Sequence, residues 1–386
     1  MAEKLTGVNG AIIKWARERY NMTALEAAHA IGIDIQRYEK WENNEDFPTY
    51  AMLKKISIVF QKPSAIFFFP APPNLPEING ELRTLPNNVT SSFSKQIIQQ
   101  FEKAKVYQFN LQELYGTRYC ILQERETFPS DIVNLSKYIR SRLAFPIAAQ
   151  KQRRNAKIVF EYFREKFYEQ GIYVFKDSFG DNSVSGLCVY DNNFPVIIIN
   201  NAMSFSRQSF TLFHELYHLL SNTGGAEIIR DDFYNYLSET QAVTEKDCDT
   251  FANEFLIPTD DFLLELKNKV LSDTLIAELS TLYSVSKEAI MYKLYSLKLI
   301  TSDDYNALKE FFYGDAIRLK RAKSADKNGG GNYYFTKLAY LGNQYTAAVF
   351  NQYFSGKIDS YRAGEMLNSK VDHLPKLEAA FFRGIK

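Results

Sequence analysis

The stretch Phe210-Thr-Leu-Phe-His-Glu-Leu-Tyr-His-Leu-Leu220 decides how this 386-residue chain is read. Its apolar residues recur at helical spacing, which predicts a helix over about Ser206–Ser221 that stops before Gly224-Gly225. Within it, His214-Glu215-x-x-His218 places two imidazoles four residues apart, on one helix face about a turn apart. Two rings so placed can both reach a tetrahedral Zn²⁺ at about 2.0–2.1 Å. Glu215 projects about 100° round from His214, where it can take a proton from a water activated by the ion. The same five residues also fit an amphipathic helix with surface histidines, so the motif needs a third ligand.

Glu245-Lys-Asp-Cys-Asp-Thr-Phe-Ala252 offers one. A helix is predicted from about Thr244 to Phe255, ending before Pro258. Glu245 can complete a two-His, one-Glu site whose fourth position stays open for water. Asp249, at i+4 on the same face, is placed to accept the other N–H of a ligating imidazole and fix its tautomer. A solvated acidic face with Phe251, Ala252 and Phe255 packing inward is the competing reading. Asp247 is a rival ligand, but it lies about 200° from Glu245.

Outward from these helices, the composition is globular, with 46% hydrophobic and 24% charged residues and an aromatic surplus of 30 Phe and 25 Tyr, which excludes a disordered chain or a fibre. A net charge of +1 argues against a protein that coats nucleic acid by bulk charge. Three scattered cysteines (Cys120, Cys188, Cys248) exclude a disulfide scaffold and suit a reducing compartment. No apolar run reaches the roughly 18 residues of a spanning helix, and Met1-Ala-Glu-Lys opens no signal core. Cytoplasmic location and no membrane partner are therefore expected. His29 and His373 read as structural or solvent-facing.

The first 70 residues read as a helical module. Ile12, Ile13, Ala16 and Tyr20 share one helix face, and Thr23-Ala-Leu-Glu26 is a capping box opening a second helix with Leu25, Ala28 and Ile31 on its face. After Gly32, a third helix over about Ile35–Glu42 buries Tyr38 and Trp41, and a fourth covers Tyr50–Phe60. This is a helix-turn-helix plan, and Pro70-Ala-Pro-Pro73 stiffens its exit. Gln36, Arg37 and Lys40 would face double-stranded DNA from the third helix, as Gln and Arg suit base edges in the major groove. Nine Lys/Arg against eight Asp/Glu over residues 1–70 leave a protein-docking or dimerisation role equally open, with a homodimer as its simplest form. Residues 74–140 look mostly helical, followed by a helix over about 154–170. Apolar runs at 172–175, 186–190 and 195–200 read as strands, the last two joined by Asp191-Asn-Asn193. Val196–Ile199 is either an edge strand that adds a substrate strand or a fully paired interior one. Basic clusters at 151–157 and 318–327 read as solvated faces, and Gly329–Gly331 as a linker.

H-E-x-x-H followed by E-x-x-A-D/N-x-F-A-x-x-L-L-x-P resembles the ImmA/IrrE family of zinc metallopeptidases. Arg207-Gln-Ser-Phe-Thr211, Phe251-Ala-Asn-Glu-Phe-Leu-Ile-Pro258 and the strand over 195–200 match that pattern as well. Arg17, Trp41-Glu42, Pro48-Thr49 and Phe67-Phe-Phe-Pro70 resemble the XRE-type helix-turn-helix that often precedes this peptidase. The resemblance implies Zn²⁺ held by His214, His218 and Glu245, with Glu215 as general base. It implies an α+β, mostly helical chain: a helix-turn-helix domain at 1–72, a helical connecting region at 73–140, a zincin-like core with a small sheet at 141–270, and a C-terminal helical region at 271–386. The 276–299 stretch would pack on the peptidase. The implied activity is endopeptidase cleavage of a repressor- or antitoxin-like regulator in transcriptional, stress or toxin–antitoxin control. A regulator or antitoxin that binds a partner without cutting is the alternative. Cys248 departs from the pattern, which has Ala there. Its thiol can bind metal, but about 300° round the helix from Glu245 it reads better as a small core residue. For an oxyanion donor, Tyr217, Tyr234 and Tyr236 are all near in sequence, with Tyr217 better placed for the core.

Overall fold

A computed structural model describes residues 3–73, 93–223, 225–228, 237–308 and 332–384, with backbone only at 225–228. The chain is α+β and mostly helical. The described residues divide into two compact units, 3–73 with 93–102, and 103–384.

In the first unit the four expected helices form: α1 (Gly10–Glu18), α2 (Ala24–Ile31), α3 (Ile35–Glu42) and α4 (Tyr50–Val59). The Thr23–Glu26 capping box closes as its sequence demands, the Glu26 N–H reaching Thr23 Oγ1 at 3.2 Å and the Thr23 N–H reaching Glu26 Oε2 at 2.8 Å. Gly32 ends α2 with φ +80, the left-handed cap that glycine adopts without strain. α2 buries Ala27, Ala28 and Ile31, while Leu25 is exposed. Ala28 and Ile31 thus lie on the expected face, and Ala27 rather than Leu25 completes it. Arg17 on α1 forks onto Glu42 at the end of α3, with 2.7 and 3.0 Å contacts, and donates a third bond to the Met22 carbonyl at 2.8 Å. Gly10 permits this approach, since a Cβ there would lie 2.3 Å from the Trp41 carbonyl oxygen. Glu102 accepts from Arg19, Tyr20 and Lys62 at 2.6, 2.6 and 2.9 Å, which fixes the start of helix Lys95–Tyr115 in this unit.

The second unit is built on a four-stranded sheet of order β1-β3-β2-β4, comprising β1 (Tyr173–Asp177), β2 (Val184–Val189), β3 (Val196–Asn200) and β4 (Gly225–Ile228). β1 runs parallel to β3 (Val174 opposite Ile197), and β2 is antiparallel to β3 (Leu187 opposite Ile198) and to β4 (Leu187 opposite Ala226). β3 is thus paired on both sides and wholly buried, which is why Val-Ile-Ile-Ile reads as an unbroken apolar run. The edge-strand reading of Val196–Ile199 is overturned by this order.

Helix Phe205–Leu220 lies close against β2: a Cβ on Gly186 would stand 2.4 Å from Thr211 Cγ2. Helix Glu239–Leu256 lies against it through a stacked Phe213–Phe255 pair, 3.8 Å between centroids, with Phe163 of helix Ala156–Glu169 edge-on to Phe213 at 4.8 Å. Glu239–Leu256 begins five residues before the expected start, because Ser238 and Gln241 form a second capping box. Both site helices end on buried or half-buried donors. Arg125 donates to the Leu219 and Leu220 carbonyls, each at 2.8 Å, and Gln150 donates to the Leu256 carbonyl at 2.9 Å. Helices Asp273–Tyr283 and Lys287–Ser296 join the same apolar core through Ile276, Leu279, Ile290 and Leu294. The C-terminal helices, from Tyr333 to Gly384, are tied to β1 by the buried Arg164, which donates to the Val174, Ala339 and Tyr340 carbonyls at 2.7, 2.6 and 2.6 Å. Among the described residues, no helix is long and apolar enough to cross a membrane.

Candidate metal centre and recognition helix

The sheet and the Phe213–Phe255 stack bring the two site helices face to face, and their polar residues meet in the seam. His214, Glu215, His218 and Glu245 are all buried. His214 Nε2 lies 3.2 Å from Glu245 Oε2, and His218 Nε2 lies 3.5 Å from Glu245 Oε1. On their far sides the rings are held. His214 Nδ1 is 3.0 Å from Asp249 Oδ1, and His218 Nδ1 is 3.0 Å from Thr223 Oγ1.

These contacts fix both tautomers. An ionised carboxylate only accepts, so His214 Nδ1 carries the proton shared with Asp249. The single Thr223 hydroxyl hydrogen goes to the His218 carbonyl at 3.1 Å, leaving its oxygen to accept from His218 Nδ1–H. Both rings therefore turn Nε2 toward the Glu245 carboxylate. His218 Nε2 and Glu245 Oε1 are buried and form no hydrogen bond of good geometry. Two imidazole nitrogens and a carboxylate converging in a buried seam fit a cation between them, and these are the ligand types of a catalytic zinc. Burial alone would raise the Glu245 carboxyl, but His218 and His214 outweigh it and hold it down at about 2.

The other candidates fall as follows. Asp247 is half-buried, and its charge helps to raise the Tyr217 phenol. Tyr217 packs on Phe251 at 5.4 Å and belongs to the edge of the core. Tyr234 and Tyr236 lie outside the described residues, as do the 318–327 cluster and Gly329–Gly331. Lys151 of the other basic cluster pairs with Asp261 and Glu265 at 3.0 and 2.6 Å. His29 is exposed, and His373 sits edge-on to Tyr333 and Tyr334. Cys248 is fully buried, and its sulfur lies with one nitrogen each of His214 and His218 in a group of atoms within 4.8 Å of one another. Burial, with Glu245, Glu215 and Asp249 around it, pushes that thiol well up.

A cavity of about 320 Å³ opens beside the seam, with His214, Glu245 and Asp249 on one wall and Ala289, Tyr292 and Tyr305 on the other. Sequence reasoning missed Thr223, Tyr292 and Tyr305. Thr223 did carry a signal, since a hydroxyl directly after the Ser221-Asn222 helix stop can fold back on the last turn. Asn222 takes φ +58, and the Thr223 N–H reaches the His218 carbonyl at 2.8 Å.

In the first unit α3 exposes Gln36 and Lys40, but Arg37 is half-buried, 5.4 Å over the Trp41 ring and 3.8 Å from Asp46. The three expected DNA contacts thus divide into two outward side chains and one engaged within the module.

Residues 168–295 match the family model of the IrrE N-terminal-like domain, a peptidase family, and residues 13–67 match the helix-turn-helix model. No curated protein sequence matches the chain.

Proposed function

We propose that the chain is a zinc-dependent endopeptidase that cuts a protein regulator of the repressor or antitoxin kind, coupled to transcriptional control through its helix-turn-helix. The observation that carries this reading is the pair of Nε2 atoms, each on a ring held at Nδ1 by Asp249 or Thr223, converging on the Glu245 carboxylate. His214, His218 and Glu245 would hold Zn²⁺, which when bound supplies Lewis-acid polarisation of a carbonyl and a more acidic water. Glu215, buried on the same helix one position from His214, is the general base. Its carboxylate takes a proton from the attacking water and passes it to the leaving amide nitrogen. Asp249 and Thr223 keep the two rings in the ligating tautomer and orientation. Tyr292 and Tyr305 present phenols to the same cavity, where a donor can meet the oxygen on which charge develops. The reading keeps the four-part division at residues 72, 140 and 270. It assigns double-stranded DNA to α3 through Gln36 and Lys40.

Metal analysis of the purified chain beside its E215Q variant tests the reading. The expected result is about one zinc per chain in both, with loss of a regulator from lysate only where Glu215 is intact. Metal-free protein, or equal depletion by both, would refute it.

A further inference from the structure

Of the three cysteines, Cys120 and Cys188 belong to the apolar core, whereas Cys248 stands beside the chemistry. That core takes Phe251, Ala252 and Phe255 from helix Glu239–Leu256 but not Cys248. Three residues after Glu245, Cys248 shares its helix face, since residues three apart are neighbours on a helix surface. An angle of about 300° one way round is about 60° the other way. The sulfur therefore points into the same seam as the carboxylate, and one ligand atom each from His214, His218 and Cys248 fall within 4.8 Å of one another.

We infer that the Cys248 sulfur is a ligand of the metal centre, joining His214, His218 and Glu245. The inference rests on the metal-centre reading above and adds to it a ligand that the two-His, one-Glu pattern lacks. Zn–S and Zn–N bonds of about 2.3 and 2.0–2.1 Å suit a seam of this width, and thiolate is among the preferred ligands of zinc and cobalt. On ligation the thiol proton leaves to solvent and a sulfur lone pair forms the new bond, so no electron is transferred. With the sulfur bound, four side chains would hold the metal, and Cys248 would have to yield for a water to be activated there.

Cobalt substitution of the full chain under reducing conditions tests this. Visible d–d bands report an occupied site, and a near-ultraviolet sulfur-to-cobalt band reports a thiolate ligand. The unaltered protein is expected to show both. C248S is expected to keep the visible bands, lose the near-ultraviolet band and bind zinc at least about tenfold more weakly against a competing chelator. C248A, which restores the residue of the family pattern, serves if C248S does not fold. Visible bands without the near-ultraviolet band in the unaltered protein would overturn the ligation by Cys248 and leave the metal centre standing. So would a near-ultraviolet band that survives in the variants. Absence of both bands and of stoichiometric cobalt would remove the metal centre itself.

Discussion

Helix Phe205–Leu220 and helix α3 are both amphipathic and both carry proposed chemistry, but they turn it to opposite sides. The first points His214, Glu215 and His218 inward, where each is fully or almost fully buried, whereas α3 sends Tyr38 and Trp41 inward and leaves Gln36 and Lys40 outside. A buried polar group must find partners or cost stability, so its surroundings are specified atom by atom. An exposed one is under no such demand. The inward helix consequently fixes the partners of two imidazoles, while the outward helix defines only a surface on which a partner could be read.

If inward chemistry is the tightly specified kind, the largest effect should come from Glu215. E215Q keeps size and polarity but removes the base, and turnover of the regulator should fall by about 10²–10⁴-fold with zinc content unchanged. A variant that loses its zinc instead would show that the carboxylate holds the seam together. The first unit offers a matched buried group in Glu42, which receives the Arg17 fork. E42A strands a mostly buried guanidinium and should cost about 3 kcal/mol in unfolding of the helix-turn-helix unit. A cost under about 1 kcal/mol by denaturant titration would mean the pair is screened like a surface bridge. Next come the residues behind the rings. D249A should weaken zinc binding by about 10–100-fold, and T223V by about tenfold, because each frees an Nδ1 proton from its acceptor. Unchanged affinities in chelator competition would break the tautomer argument while sparing the ligands.

How far the sequence could be read follows the same division. His214, His218, Glu245 and Asp249 were legible because i, i+4 spacing on two helices leaves a period in the chain, and helix geometry then decides which side chains share a face. Cys248 lies in the same period and is fully buried as a core residue would be, while its sulfur's closeness to the two histidines appears only in the folded chain. Thr223 follows the helix, and its role depends on the left-handed turn at Asn222, which no period announces. Arg125 and Gln150 close the carbonyl ends of the site helices from 94 and 106 residues away, a pairing that only the folded chain creates. The apolar run of β3 marked a buried strand, but its place between β1 and β2 follows from a parallel crossover that local pattern does not encode.

The smallest expected effect falls on the outward helix. K40A and Q36A touch no buried group, so each should change the stability of the first unit by no more than about 0.5 kcal/mol. If α3 faces DNA, Lys40 meets phosphate, and K40A should weaken binding to a promoter fragment about equally across sequences while lowering the slope of log affinity against log salt by about one. Gln36 would read a base edge. Q36A should then cost about 1–3 kcal/mol on the preferred sequence and little on others. Arg37, engaged with Trp41 and Asp46, should act differently from both. R37A removes packing inside the module, so its effect should show in thermal unfolding before it shows in DNA affinity. The three variants measured together, by salt-series binding and by unfolding, therefore report which side of α3 works. A uniform absence of binding change, with only R37A altering stability, would make the outward face idle toward DNA and leave protein docking as its use.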